Sequence, residues 1–307
     1  MNIREIANGL RFPEGPIACR DGSIIVVEIE AGRLTRVDQS GEKTIIAETG
    51  GGPNGAAIGP DGRLYVCNNG GMRFIDKDGL LFPVPAQEGE RTTGWIDAVD
   101  LDGGNVETIY TECDGAPLKA PNDIVFDATG GFWFTDHGKL RRDTRDRGAV
   151  FYAAADGSSI KRVIVPLDSP NGIGLSPDGS ELYVAETHPG RLWAFKIDAP
   201  GSIARAESAP APWERGYLLA NPSGYCMLDS LAVDARGHVC VASIPHALQV
   251  VSPDGTSVQR VEMPDLMPTN ICFDITGSEQ AYVTLSAGGR LVAMAWPGAG
   301  QKLAFEH

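Results

Sequence analysis

The stretch PNGIGLSPDG (170–179) has counterparts elsewhere in the chain. PNGAAIGPDG (53–62) and PNDIVFDATG (121–130) share its proline–polar start and its closing glycine. PEGPIACRDG (13–22), LDSLAVDARG (228–237) and PTNICFDITG (268–277) complete a set of six. In every copy the second residue stands eight positions before the last glycine. These second residues are Glu14, Asn54, Asn122, Asn171, Asp229 and Thr269, and five of the six follow a proline. After each glycine comes a strand-like run: SIIVVE, RLYVCN, GFWFTD, ELYVAE, HVCVAS and QAYVTL. Copies are 40, 68, 49, 58 and 40 residues apart.

Six units of several short strands, punctuated by DG turns, predict an all-β fold: a six-bladed β-propeller with a central channel. A β-sandwich does not account for six copies. The irregular period is absorbed by insertions that read as loops, such as 84–94 and 199–216. One domain spanning 1–307 is expected, closed by IREIA near residue 5 and the C-terminal KLAFE.

Bulk properties narrow the function. The net charge of −14 repels phosphate backbones and anionic lipid, so neither a nucleic-acid nor a membrane partner is expected. MNIREIANGL has neither a basic start nor an apolar segment, and no run is long and apolar enough for a transmembrane helix. These features read as a cytoplasmic protein. The six cysteines lack CxxC spacing, and Cys67, Cys240 and Cys272 lie in apolar strands as small hydrophobes.

In a propeller the first strand of each blade lines the channel, so the six second residues converge near the axis. Proline costs little there, because a strand's first residue need not donate to the ladder. A lone Asn at a strand start is commonly a turn former. Six aligned polar residues, two of them acidic, read instead as a site. Glu14 and Asp229 supply carboxylates, and Asn122 and Asn171 supply neutral amide oxygens. This set suits a hard divalent cation such as Ca²⁺, Mg²⁺ or Mn²⁺. The absence of His and Cys argues against a closed structural zinc site.

PEGP, APNDIVFDATGGFWFTD, SPNGIGLSPDGSELYVAET and LDSLAVDARGHVCVAS together resemble the SMP-30/gluconolactonase/luciferin-regenerating family, six-bladed propellers with one cation in the channel. The resemblance runs from RFPEGP (11–16) to PTNICF (268–273). It implies a divalent cation held by Glu14, Asn122, Asn171 and Asp229, Ca²⁺ first, with Mg²⁺, Mn²⁺ or Zn²⁺ as alternatives. It further implies hydrolysis of a small lactone or ester. Animal members carry an arginine two residues before the third-blade asparagine; here that position is Ala120, beside Lys119. SIPHAL (243–248) stands where a glycine-rich run is usual.

The expected mechanism gives Asp229 the catalytic proton transfers. Asn54, Asn122, Asp136, His137, His188 and His246 are the expected substrate-binding residues. The three histidines follow the second strands of their blades. Asp123 and Ser230, just inside the inner strands, are expected to orient the ligands from behind, and Glu186 and Thr187 are further candidates for supporting the site. The basic segment KLRRDTRDR (139–147) reads as a solvated loop, and 205–227 as a further loop shaping the pocket. A phosphotriester hydrolase, a metal-dependent lyase or isomerase, and a non-enzymatic propeller are the alternatives. No GxSxG elbow and no phosphate-binding loop is present.

Overall fold

The computed structural model describes residues 3–87 and 93–307, so the loop expected over 84–94 lies partly outside the described residues, at 88–92. Among the described residues there are strands but no helix, and hence none long and apolar enough to cross a membrane.

Six antiparallel sheets follow one another along the chain. Their inner strands are Pro13–Ala18, Pro53–Ile58, Pro121–Phe126, Pro170–Leu175, Met227–Val233 and Pro268–Phe273. Each packs against the inner strands of both neighbours, which closes the ring of a six-bladed β-propeller. In blade 1 the remaining strands are Ile24–Glu28, Arg33–Val37 and Lys43–Glu48, each paired with the one before it.

The second strands read as unbroken apolar runs because both of their faces are buried. In blade 1, Ile25 and Val27 pack toward blade 2, while Ile24 and Val26 pack toward blade 6. The same alternation sends Leu64 and Val66 one way and Tyr65 and Cys67 the other. The core is accordingly divided into six clusters, one between each pair of neighbouring blades. The closing glycines Gly22, Gly62, Gly130, Gly179, Gly237 and Gly277 all have φ between 70° and 95°. The turn after each inner strand needs this left-handed backbone, which explains why the repeat ends in glycine.

The N-terminal strand Ile3–Ala7 pairs with Arg290–Ala295 and forms the outer edge of blade 6. The C-terminal KLAFE, expected as a closing strand, is not one. That edge is already taken, and the tail turns under the ring instead. Gln301 N donates to Val233 O (3.1 Å), and Phe305 meets Phe126 edge-on at 5.8 Å. The tail thereby caps a small cavity of about 140 Å³ at one end of the channel.

Blade 4 also differs from expectation. Within 199–216, read as loop, Ser202–Ile203 forms a short strand against the extended third strand Arg191–Ala199. A separate hairpin, Arg73–Lys77 with Leu80–Val84, rises between the second and third strands of blade 2. Its Leu81 N donates to Ala287 O in blade 6 (2.9 Å), and Phe74 packs on Phe12 of blade 1 (4.9 Å between ring centres).

Candidate functional site

Every inner strand carries a register shift at its start, between Glu14 and Ile17, Pro53 and Ala56, Pro121 and Ile124, Pro170 and Ile173, Leu228 and Leu231, and Pro268 and Asn270. A bulge re-aims a side chain that regular pleating would send into the sheet face. Here it turns the polar second residue toward the axis. In blades 1, 2 and 4, where glycine follows that residue, strand packing is too close to admit a side chain. A Cβ on Gly172 would lie 2.7 Å from Asp229 O and Leu231 N, and one on Gly15 would lie 2.7 Å from Asn54 O. Thus in PNG the asparagine faces the channel and the glycine admits the next blade.

Glu14, Asn54, Asn122, Asn171, Asp229 and Thr269 all line one cavity of about 570 Å³ at the opposite end of the channel from the tail. Glu14 is buried, and its Oε2 accepts from Asn270 Nδ2 (2.7 Å) and Gly15 N (2.6 Å). Burial, then the charge of Asp229, pushes its pKa well above the usual carboxylate range. Asp229 is half-buried by area, open toward the cavity and enclosed elsewhere. That enclosure, followed by the charge of Asp123, holds its pKa up as well, against hydrogen bonds from Asn171 and Ser230 N. Asn171 is fixed: Nδ2 donates to Thr187 Oγ1 (3.2 Å), and Oδ1 accepts from Ser230 Oγ (3.3 Å). Asn122 differs, since its buried Oδ1 has no hydrogen-bond partner among the described residues. Asn54 makes no side-chain hydrogen bond among the described residues. Thr269 is satisfied by Thr284 (3.0 Å) and Ser286.

Two carboxylates with raised pKa values, Glu14 in part through the charge of Asp229, join an orphaned amide oxygen and a second amide oxygen in a hard-oxygen donor set. This set fits a divalent cation. Among the described residues no three His, Cys, Asp or Glu cluster around one point, so such a site would rely on the neutral amides.

Behind this floor, Asp123 accepts from Ile124 N (2.9 Å) and Ile173 N (3.3 Å), and burial pushes its pKa up to about 7. His137 and His188 line the cavity with ring centres 6.1 Å apart. Burial lowers both, His137 to about 4, so both are neutral near pH 7. With its Nδ1 protonated, His137 donates to Gly138 O (3.1 Å) and leaves Nε2 as an acceptor.

Asp136 and His246 do not line the cavity. Asp136 accepts from the N–H groups of Lys119 (2.7 Å), Ala120 (2.8 Å) and Gly138 (3.1 Å), tying down the segment before the inner strand. Residues ending the second strands of other blades do likewise. Glu28 takes Arg11 N, Asn68 takes Gly52 N and Glu186 takes Asp168 N. His246 is exposed at φ 63°, with Nδ1 bonded to Asp265 O (2.7 Å).

In the basic segment, Arg141 is ion-paired with Asp146 inside it (3.3 Å) and Arg145 with Asp168 outside it (2.8 Å). Its Lys139 is buried and holds the carbonyls of Asn69 and Gly71. Sequence reasoning missed the hairpin, which brings Arg73, Phe82 and Val84 to the cavity. The signal was present in RFIDKDGLLFPV, two apolar runs around Asp78-Gly79, both at positive φ.

Comparison with known proteins agrees with this architecture. The chain is 28% identical over 254 residues to the lactonase drp35 of Staphylococcus haemolyticus, covering 82% of this chain and 69% of that protein. It is 23% identical over 299 residues to a gluconolactonase of Zymomonas mobilis, covering 90% and 76%. Among solved structures, a gluconolactonase from Xanthomonas campestris superposes with a TM-score of 0.72 at 22% identity over 96% of this chain and 89% of that one. A calcium-binding regucalcin from Agrobacterium tumefaciens gives 0.72 at 20% identity, over 97% and 93%. The SMP-30/gluconolactonase/LRE-like family model matches residues 12–287, and the chain belongs to that family.

Proposed function

We propose that this protein hydrolyses the ester bond of a small lactone, using one divalent cation held by Glu14, Asn171, Asp229 and the Asn122 amide oxygen. The relatives named lactonase and gluconolactonase support the reaction class. The observation that carries the cation is the buried Asn122 Oδ1, without a partner among the described residues, on the same cavity floor as the carboxylates of Glu14 and Asp229. When bound, such a cation polarises the lactone carbonyl and offsets charge developing on its oxygen. Ca²⁺ is the cation of choice for oxygen donors of this kind, and the calcium-binding structural neighbour is in keeping with it.

The chain's own groups then act as follows. Asn54, with no side-chain partner among the described residues, hydrogen-bonds the substrate and orients it. Asp229 takes a proton from the attacking water and returns it to the ring oxygen as the ester bond opens. His137 and His188, both neutral, offer acceptor nitrogens at the cavity wall. In this reading residues 1–307 act as one domain on a small molecule in the cytoplasm, with no nucleic-acid or membrane partner.

The test is hydrolysis of a panel of small lactones by the purified protein. Activity should vanish with EDTA and return with one of Ca²⁺, Mg²⁺, Mn²⁺ or Zn²⁺. Asp229→Asn and Asp229→Ala should each lower turnover by roughly 10²–10⁴-fold. Full activity in both variants would remove Asp229 from the mechanism. Cation binding without any lactone turnover would favour a phosphotriester hydrolase, lyase or isomerase on the same floor, and no cation binding a non-enzymatic propeller.

A further inference from the structure

We infer that the cavity is shaped for a lactone bearing an apolar substituent rather than a polyhydroxylated ring, an inference that rests on the lactone-hydrolase reading. The cavity is zoned. Polar residues form its floor, but Phe12, Ile29, Phe82, Met227, Ile244 and Met267 line its walls. The apolar lining continues onto the rim. Tyr225 is 76% exposed, Met72 42%, Leu140 38% and Leu266 37%, and all four border this cavity. A single exposed apolar side chain needs no explanation, but several around one mouth, continuous with an apolar wall, mark a binding surface.

Polar groups in the wall are mostly committed elsewhere. Thr187 Oγ1 holds Asn171, His137 Nδ1 faces Gly138 O, and Lys139 holds two carbonyls. Asn69 Oδ1 accepts from Gly71 N (2.9 Å), which leaves its buried Nδ2 without a partner among the described residues. Arg73 forms no ion pair among the described residues. Asn69 and Arg73 can together serve an acceptor oxygen or two. Asn54 on the floor and the acceptor nitrogens of His137 and His188 add a few more partners, but this set is sparse against the apolar walls for replacing the water lost from every hydroxyl of a sugar ring, and each hydroxyl buried without a partner is penalised. The volume of about 570 Å³ falls in the range of pockets that enclose a ligand well beyond one small ring.

The experiment compares kcat/KM for γ-lactones with alkyl substituents from methyl to hexyl against D-gluconolactone. Burial of each added methylene should raise kcat/KM about three- to fourfold until the chain leaves the rim. Gluconolactone should be poorer than the best alkyl lactone by roughly a hundredfold. Phe82→Asn combined with Leu266→Asn should flatten the chain-length profile; Leu266→Asn alone, at the exposed rim, serves if the pair does not fold. A flat profile in the unmodified protein, or a preference for gluconolactone, overturns this inference and leaves the hydrolase reading intact. Calorimetric binding of 2-alkylcyclopentanones, which carry the carbonyl but no ester bond, separates the two claims. Affinity that grows with chain length while no lactone is turned over upholds the apolar site and overturns the hydrolase. Affinity independent of chain length overturns the apolar site.

Discussion

Asn122 and Asn171 occupy the same place in adjacent repeats, yet among the described residues only Asn171 has both ends of its amide satisfied. A buried acceptor without a donor is costly unless something else meets it. Asn122→Ala is therefore expected to leave the fold intact while weakening cation affinity by tenfold or more, on the order of what ligand-shell substitutions cost. Isothermal titration checks this directly. Acidity gives a second handle. Burial holds the Glu14 and Asp229 protons to higher pH than ordinary carboxylates, helped by the charge of Asp229 on Glu14 and of Asp123 on Asp229, and those protons must leave before a cation binds. Affinity should thus rise as pH increases from about 6 to 8, with protons released on binding; the same titration in buffers of different ionisation enthalpy measures both. The polar second positions were legible in the sequence because each single asparagine gains meaning from five aligned companions. Asp136 and His246 were misplaced because their side chains are claimed by local backbone. Comparing Asp136 with Glu28, Asn68 and Glu186 across repeats reveals that shared capping duty, which position after a strand does not.

Among the elements, the inner strand does the most to build the site. Its bulge aims the polar residue, and in blades 1, 2 and 4 the glycine that follows lets the next blade approach. Gly172→Ala would force a Cβ against two backbone atoms of blade 5, Asp229 O and Leu231 N. The expected cost is about 1–3 kcal/mol of stability, read as a lower midpoint in thermal or denaturant unfolding. Activity should fall too, since the backbone displaced carries Asp229. The apolar second strands and DG turns could be read from the sequence because periodicity and turn chemistry are local properties. Bulge positions could not, because a register shift depends on the partner strand. The blade 2 hairpin was hidden for another reason: its strands leave the blade and pack on blades 1 and 6, so the repeat alignment passes over them.

The whole molecule separates its two channel ends. The tail plugs one with Phe305, and the other opens into the polar-floored cavity. Phe305→Ala should lower stability by about 1–3 kcal/mol, the value of a partly buried aromatic side chain, while lactone turnover at the far end persists. The ring's closure by the N-terminal strand was foreseen, but the tail's path was not, because KLAFE alternates like a strand and only its burial against Phe126 shows otherwise. The acidic surface, at −14, favours approach of a cation to the channel over long range. In the proposed reading four of the six strand starts, Glu14, Asn122, Asn171 and Asp229, hold one cation on which lactone hydrolysis depends. Titration of the chelator-stripped protein with Ca²⁺, followed by the lactone assay on the same samples, tests it most directly. One cation should bind per chain with recovery of activity, and both should be lost in Glu14→Gln and Asp229→Ala proteins that retain a native near-ultraviolet circular dichroism spectrum. Binding of equal stoichiometry and affinity in all three proteins, or full activity without any cation, would contradict it.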